Sequence, residues 1–499
     1  MSNPNPPGPT PAAPRWFPWV ALATLAGYAV FLFFNMAIAA GGSDSSGYLN
    51  SAKLFAEGRM RTELRLPVEI AALPEVGKNL FTPLGFQPVG DKTKISPTYP
   101  TGLPLHFAVA GKLFGWQAGP AILIAACGCL TVWLCYQIGR QLGLTYDLAA
   151  CAAVILAACP VFLFSSFQAL SDMPATLWCL LSLYCALRAR EAANWALACG
   201  FAYAVAVLVR PTNLILAPAL LIVLGLHLGR LVRFVVAGIP AAAWLAWYNN
   251  YQYGGPLESG YGPILTAFEL HYGWPTFVHF AKWLAIVLPA VVLVLPFCAI
   301  AHPATRGRGF LALAVAFATI GGLYLFYNIS HEIWWCLRFI LPVLPMLILM
   351  AMLGVEALAR GPGRRWPQGF RPVVAAVLAV WAIGMSLYWS PVLHVHMIKR
   401  YESVYAEASR AAQKVFAENT LIATSAFSGS MYFYTPLPIV RSDLVEAAEF
   451  TRYTAPARAT GRPVGAVVFN FEEEQLFARC PGKWKKIGEH ANVNFWLLE

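Results

Sequence analysis

The chain has 499 residues, of which 58% are hydrophobic and only 12% charged, and its mean hydropathy is +0.58. A soluble domain carries about 25% charged residues, so composition excludes one and indicates a polytopic membrane protein. The formal charge of +11 is no nucleic-acid signature either, because much of it is arginine in short connections, where it sets membrane orientation.

Residues 1–14 are Pro-rich and uncharged, which predicts a disordered cytoplasmic N-terminus over 1–15. The first apolar run, Trp16 to Ala40, ends in a cleavage-like Ala37-Ile38-Ala39. It is long for a secretory leader and many further spans follow, so it reads as a retained span. At about 20 apolar residues per span, eleven spans are expected, roughly at 17–40, 118–139, 148–166, 173–188, 194–209, 212–228, 231–248, 277–300, 310–328, 338–358 and 371–389.

Every even-numbered connection is basic: Arg140; Arg188 and Arg190; Arg230 and Arg233; Arg306 and Arg308; Arg360, Arg364, Arg365 and Arg371. The positive-inside rule then puts the N-terminus in the cytoplasm and, with an odd number of spans, the C-terminus outside. The expected fold class is mainly α: a transmembrane helix bundle over 16–390, with a long first outer loop at 41–117 and a second at 249–276. A small extracytoplasmic α/β domain is expected over 391–499, with helices at 401–418 and 472–478 and strands at 421–424, 465–469 and 493–498. That tail shows no nucleophile elbow, Gly-rich phosphate loop or metal motif, so it reads as a cover or gate for a site. Most of the 11 cysteines lie in apolar runs without metal spacing and read as small core residues.

Just outside the first span lies Gly41-Gly42-Ser43-Asp44-Ser45-Ser46-Gly47-Tyr48. Tyr48, Ala52 and Phe55 fall at helical spacing, with Gly58 as a stop, which predicts an amphipathic surface helix starting beside Asp44. Asp44 is either that helix's cap or a base at the membrane boundary. Asp172, in Ser171-Asp172-Met173-Pro174, is likewise either a helix cap or a second carboxylate on the same side. A pair of that kind serves as base and helper or holds a divalent ion.

Arg210 and Arg338 sit at outer span ends, against the positive-inside bias. Each either snorkels to headgroups or grips a lipid phosphate with its guanidinium fork. His331 and Glu332 are site residues or loop polar groups. Tyr327, Trp334 and Trp335 suit an interfacial belt better than a sugar-stacking surface.

Charges at span ends are costly, and here they cluster at one face with no internal repeat. That favours chemistry at a surface over the rival reading, a transporter or flippase for a lipid-linked sugar or small anion. A non-catalytic scaffold with a partner-binding tail is the third reading, and it leaves these polar residues without a purpose.

In order, the chain holds Asp44 and its helix, then Tyr99-Pro100-Thr101-Gly102-Leu103-Pro104-Leu105, then Ser171-Asp172-Met173-Pro174. Arg210-Pro211-Thr212, a Tyr253–Tyr261 turn and Arg338-Phe339 with Pro342 and Pro345 follow. This order and sidedness resembles the glycosyltransferase-C superfamily, in particular bacterial members akin to protein O-mannosyltransferases and the lipid A aminoarabinose transferase. The resemblance spans roughly 16–390. It implies an inverting hexosyl- or pentosyltransferase in a bacterial cytoplasmic membrane, moving a sugar from a polyprenyl-phosphate donor to a glycan, lipid or protein acceptor at the outer face.

Carried over, Asp44 is the catalytic carboxylate and Asp172 the second acidic position, which in some members assists a divalent metal. Donor-phosphate contacts fall to Arg210 and Arg338, with Lys92, Lys94, His331 and Tyr99 as further candidates for donor binding. The aminoarabinose-transferase type has a lysine in its Pro-rich first-loop segment; here residues 96–105 have none, and Lys92 and Lys94 lie just before it.

Overall fold

The computed structural model describes residues 14–90, 93–262, 264–361 and 369–499. The fold is mostly helical. Helix α1 (Phe17–Asn35) is followed by α2 (Ser43–Ala56) and three short strands, β1 (Thr62–Glu63), β2 (Phe86–Pro88) and β3 (Lys94–Pro97), in the antiparallel order β1-β3-β2.

Next come α3 (Gly102–Gln141), α4 (Tyr146–Ala158), α5 (Pro160–Ser166), α6 (Asp172–Arg188), α7 (Trp195–Val209), α8 (Leu228–Tyr253) and α9 (Arg308–Leu325). A 3-10 segment, Trp334–Val343, runs into α10 (Leu344–Arg360), and α11 (Phe370–Val392) closes the bundle.

Among the described residues six helices are long and apolar enough to cross a membrane, or seven if α4 and α5, bent by 62°, count as one span. The bend falls at Cys159, extended at ψ 124° as the residue before Pro160, where the proline ring disfavours helix. Three further apolar helical stretches are shorter: Trp195–Val209, Pro211–Leu224 and Ala290–Ala301.

The segment between α1 and α3 is shorter than the sequence suggests. Helix α3 has 40 residues, broken only at Gly115, whose φ is 78°. Pro104 occupies the first turn, where a proline removes no hydrogen bond, while Pro120 lies inside the second half of the helix.

The arginine-rich connections gather at one end of the bundle. Arg230 donates to the Arg190 carbonyl at 3.4 Å, and buried Glu356 accepts from Arg360 at 2.6 Å and Arg371 at 2.7 Å. Arg364 and Arg365 lie outside the described residues. All eleven cysteines are free, and ten of them are buried.

After α11 the chain forms α12 (Ile398–Val415), β4 (Leu421–Thr424), α13 (Ser428–Tyr434), β5 (Ile439–Arg441), β6 (Val464–Phe469), β7 (Trp484–His490) and β8 (Val493–Leu498). The sheet order is β5-β4-β6-β8-β7, parallel over β5, β4 and β6 and antiparallel from β6 through β8 to β7. On one face Ala408, Ala412, Phe427 and Met431 pack against Ile422 and Phe495.

The other face buries Leu64, Ile70, Phe81, Phe86 and Ile95 of the loop between α2 and α3 against Leu421, Val440, Phe450 and Val468. Loop and tail therefore share one core, which burial of apolar surface stabilises. This shared core covers α2. Instead of lying half-exposed on a membrane surface, α2 is buried over Ser45–Ala52, with α3 on one side and α13 on the other.

Candidate active site

Asp44 does not cap its helix. The N-cap of α2 is Gly42, with no side-chain cap hydrogen bond. Asp44 lies in the first turn, where the helix dipole favours its charge, and its carboxylate points across the bundle end. Its Oδ1 accepts from the Tyr99 hydroxyl at 2.8 Å, and its Oδ2 accepts from Arg338 Nη2 at 3.2 Å.

Arg338 Nη1 lies 3.7 Å from Asp172 Oδ2, and Asp172 Oδ1 accepts from Arg210 Nη2, which also donates to Ser171 Oγ at 3.3 Å. Tyr99, Asp44, Arg338, Asp172 and Arg210 thus form one chain of alternating donors and acceptors. Asp172 is 1% exposed and Asp44 40%, so the chain runs from the protein interior to an open rim. Two carboxylates and two guanidiniums balance, as burial of charge demands. Among the described residues, Arg338 Nε and Arg210 Nη1 are buried N–H donors without a partner.

The backbone explains the placement. Asp172 starts α6 and Arg210 ends α7, so two antiparallel neighbours deliver an acid and a base to one level. Tyr99 rests on Gly47, where a Cβ would fall 2.2 Å from its ring; α2 needs glycine there for close approach. The Tyr99 ring packs on Tyr48 at 4.7 Å and edge-on to Tyr261 at 5.9 Å. Burial, then the Asp44 charge, raises the Tyr99 phenol well above its ordinary pKa, so it stays a hydrogen-bond donor to Asp44. The Tyr253–Tyr261 turn docks on the same loop through the Tyr253 hydroxyl, 2.7 Å from the Pro97 carbonyl.

The other sequence candidates lie elsewhere. Lys94 is exposed on β3, opposite Glu63, outside the charge chain. Lys92 lies outside the described residues. His331 stacks on Tyr272 at 5.5 Å with Nδ1 unpartnered, and Glu332 is exposed. Trp334 is buried and packs edge-on to Phe164 at 5.1 Å. Trp335 stacks on Phe164 and lies 5.0 Å from the Arg338 guanidinium, so it supports the arginine as well as the bundle wall. The pair Asp44 and Asp172 does not fit a divalent ion as arranged, because all four carboxylate oxygens face tyrosine or arginine donors. Among the described residues no group of three or more His, Cys, Asp or Glu side chains is placed to hold a metal.

A pocket of about 590 Å³ opens beside Asp44 and Arg338, walled by Phe164, Trp334, Trp335, His394, Tyr401 and Glu402. Glu402, on α12, is the residue that sequence reasoning missed. Burial pushes its carboxyl up to about 7; the Asp44 charge adds to the rise, while the Ser45 hydroxyl and Arg338 oppose it. A carboxyl raised in the folded state stabilises the fold below its ordinary pKa of 4.5, and that stability is lost as pH rises through about 7. Glu402→Gln, neutral throughout, should therefore match the wild-type melting temperature near pH 4 and exceed it by a few degrees at pH 8. An equal or lower value at pH 8 would contradict this environment.

Residues 100–247 match the family model of dolichyl-phosphate-mannose-protein mannosyltransferases, a stretch holding Asp172 and Arg210. No match was found among curated protein sequences. Among solved structures, ArnT from Cupriavidus metallidurans bound to undecaprenyl phosphate superposes with a TM-score of 0.60 at 16% identity, over 97% of this chain and 98% of that one. The chain shares the fold of that structure. The Archaeoglobus fulgidus oligosaccharyltransferase tethered with an acceptor peptide shares that fold with a TM-score of 0.53 at 12% identity, over 97% of this chain and 74% of that one. So does the mycobacterial arabinofuranosyltransferase AftD, with a TM-score of 0.50 at 13% identity, over 95% of this chain and 40% of that one. The likeness in fold extends over 97% of this chain, beyond the stretch matched by the family model.

Proposed function

We propose that this chain is an inverting glycosyltransferase that moves a sugar from a polyprenyl-phosphate donor to an acceptor hydroxyl at the outer face of a bacterial cytoplasmic membrane. The observation that carries the reading is the linked chain Tyr99–Asp44–Arg338–Asp172–Arg210 at one end of an apolar bundle. The neighbouring structures bound to undecaprenyl phosphate and to dolichol phosphate support the donor class. In this reading about eleven spans cross the bilayer, the N-terminus is cytoplasmic, and the covering tail of 391–499 is extracytoplasmic.

The chemistry asks little of the protein. A lipid phosphate is a good leaving group, so the site must place two substrates, accept one proton and meet developing charge. Asp44 takes the proton of the attacking hydroxyl while the new bond forms at the anomeric carbon. The bond from that carbon to the phosphate oxygen breaks, and the phosphate departs with the electron pair. The unpartnered N–H groups of Arg338 and Arg210 are where that growing charge is met. Asp172 holds both guanidiniums in place, and Tyr99 fixes the Asp44 rotamer. The donor tail stays in lipid throughout.

Direct displacement inverts the anomeric centre. With a purified donor of known configuration, the product's anomeric coupling in NMR should show the opposite one; retention would require a covalent sugar intermediate and would sink the single-displacement scheme.

A further inference from the structure

One wall of the pocket gathers hydrogen-bond acceptors and hydroxyls; Gln168, Arg338 and His394 are further polar residues of the lining. Ser43, Asp44 and Ser45 come from the start of α2 and Glu402 from α12. Glu402 is seated there by the backbone, since a Cβ on Gly41 would fall 1.8 Å from its Oε2. Glycine at 41, in the segment leading into α2, is thus what lets this carboxyl approach the Asp44 turn. Among the described residues its hydrogen bond is a long one, accepted from Ser45 Oγ at 3.4 Å. A carboxylate has about four lone-pair sites, so most of its capacity is unused, and Glu402 lines the pocket. Asp44 and Arg338 act on its charge from the bundle side, with Tyr405 on its own helix and Tyr434 on α13 as the other titratable neighbours.

Charge matching narrows what fits there. Arg338 is charge-paired with Asp44 and Asp172, and its one unpartnered N–H is taken by the donor phosphate in the proposed reaction. Among the described residues this wall therefore keeps no further cation for an anionic acceptor. A second carboxyl beside Asp44 repels a phosphate or carboxylate. A lone serine or threonine hydroxyl would satisfy Asp44 and leave Glu402 unmatched, which costs a buried polar group its partner. Two adjacent hydroxyls satisfy both.

We infer that the acceptor is a neutral polyol, a sugar unit presenting adjacent hydroxyls, with the attacking hydroxyl on Asp44 and its neighbour held by Glu402. This rests on the proposed sugar transfer and names its acceptor class. Glu402 acts on the acceptor alone.

The test uses the purified full chain, a radiolabelled polyprenyl-phosphate sugar and envelope extract, either untreated, protease-digested, or oxidised with periodate and reduced with borohydride. Periodate cleaves vicinal diols and spares isolated hydroxyls and phosphates. Labelling of non-donor material should persist after protease and fall at least tenfold after periodate. Labelling that survives periodate overturns the inference. Absence of any product with untreated extract overturns the transferase reading, and the inference falls with it.

Glu402→Ala should raise the amount of untreated extract giving half-maximal rate by roughly tenfold or more, since a site built to bond a hydroxyl discriminates strongly through it; the donor KM should not change. Gly41→Ala, which keeps the carboxyl but displaces it, should shift the same parameter in the same direction. A donor-KM effect, or no effect on extract dependence in either folded variant, also overturns it.

Discussion

Replacing Asp44 with asparagine should lower sugar transfer by about 10²–10⁴-fold, the range set by loss of a positioned general base. The amide keeps the volume. Its oxygen can accept from Arg338, which donates to Asp44 at 3.2 Å in the native site. Its NH2 can donate to the Tyr99 hydroxyl, whose own proton goes to Asp44 at 2.8 Å in the native site. Folding and donor binding should therefore survive, and melting temperature and donor KM should stay near wild type while kcat collapses. A variant of normal kcat would remove Asp44 from the chemistry. A variant that unfolds would show that its charge matters to assembly instead.

The second large effect is on stability. Arg210→Met leaves Asp172, only 1% exposed, with Arg338 at 3.7 Å as its remaining cation. Breaking a buried pair on one side costs about 3–5 kcal/mol, which should appear as a large fall in melting temperature in detergent. Removing both partners, Asp172→Leu with Arg210→Met, should recover much of that loss, because no uncompensated charge remains. Additive losses in the double variant would mean that the two residues are not coupled as the geometry indicates.

Asp44, Asp172, Arg210 and Arg338 were legible in the sequence because ionic groups at span ends are expensive and stand out against apolar runs. Their mutual contacts were not, since residues 44, 172, 210 and 338 meet only through the packing of distant helices. Lys94 looked suited to a phosphate by its place before the Pro-rich segment, but strand β3 turns it to solvent. Glu402 carried no signal. It sits in a helix rich in ordinary charges, Lys399, Arg400 and Glu407 among them, and only Gly41, some 360 residues away in sequence, marks where its carboxyl goes.

The early start of α3 was hidden by the Pro-rich segment at 96–105, which reads as a loop although Pro104 sits in the first turn of the helix. The joint core of the α2–α3 loop and the tail is a pairing of remote segments, each with too few apolar residues to announce it alone. The short strands β5 and β7 were missed for a related reason: β5 has three residues, and β7, Trp484–His490, is largely polar.

The most direct test of lipid-linked sugar transfer is to incubate the purified wild-type chain with radiolabelled polyprenyl-phosphate sugars and total envelope extract. The label should leave the donor lipid and appear covalently on acceptor material, with the polyprenyl phosphate released in equal amount. Saturable donor binding without consumption of any donor would contradict the account and favour a carrier that moves the lipid-linked sugar unchanged.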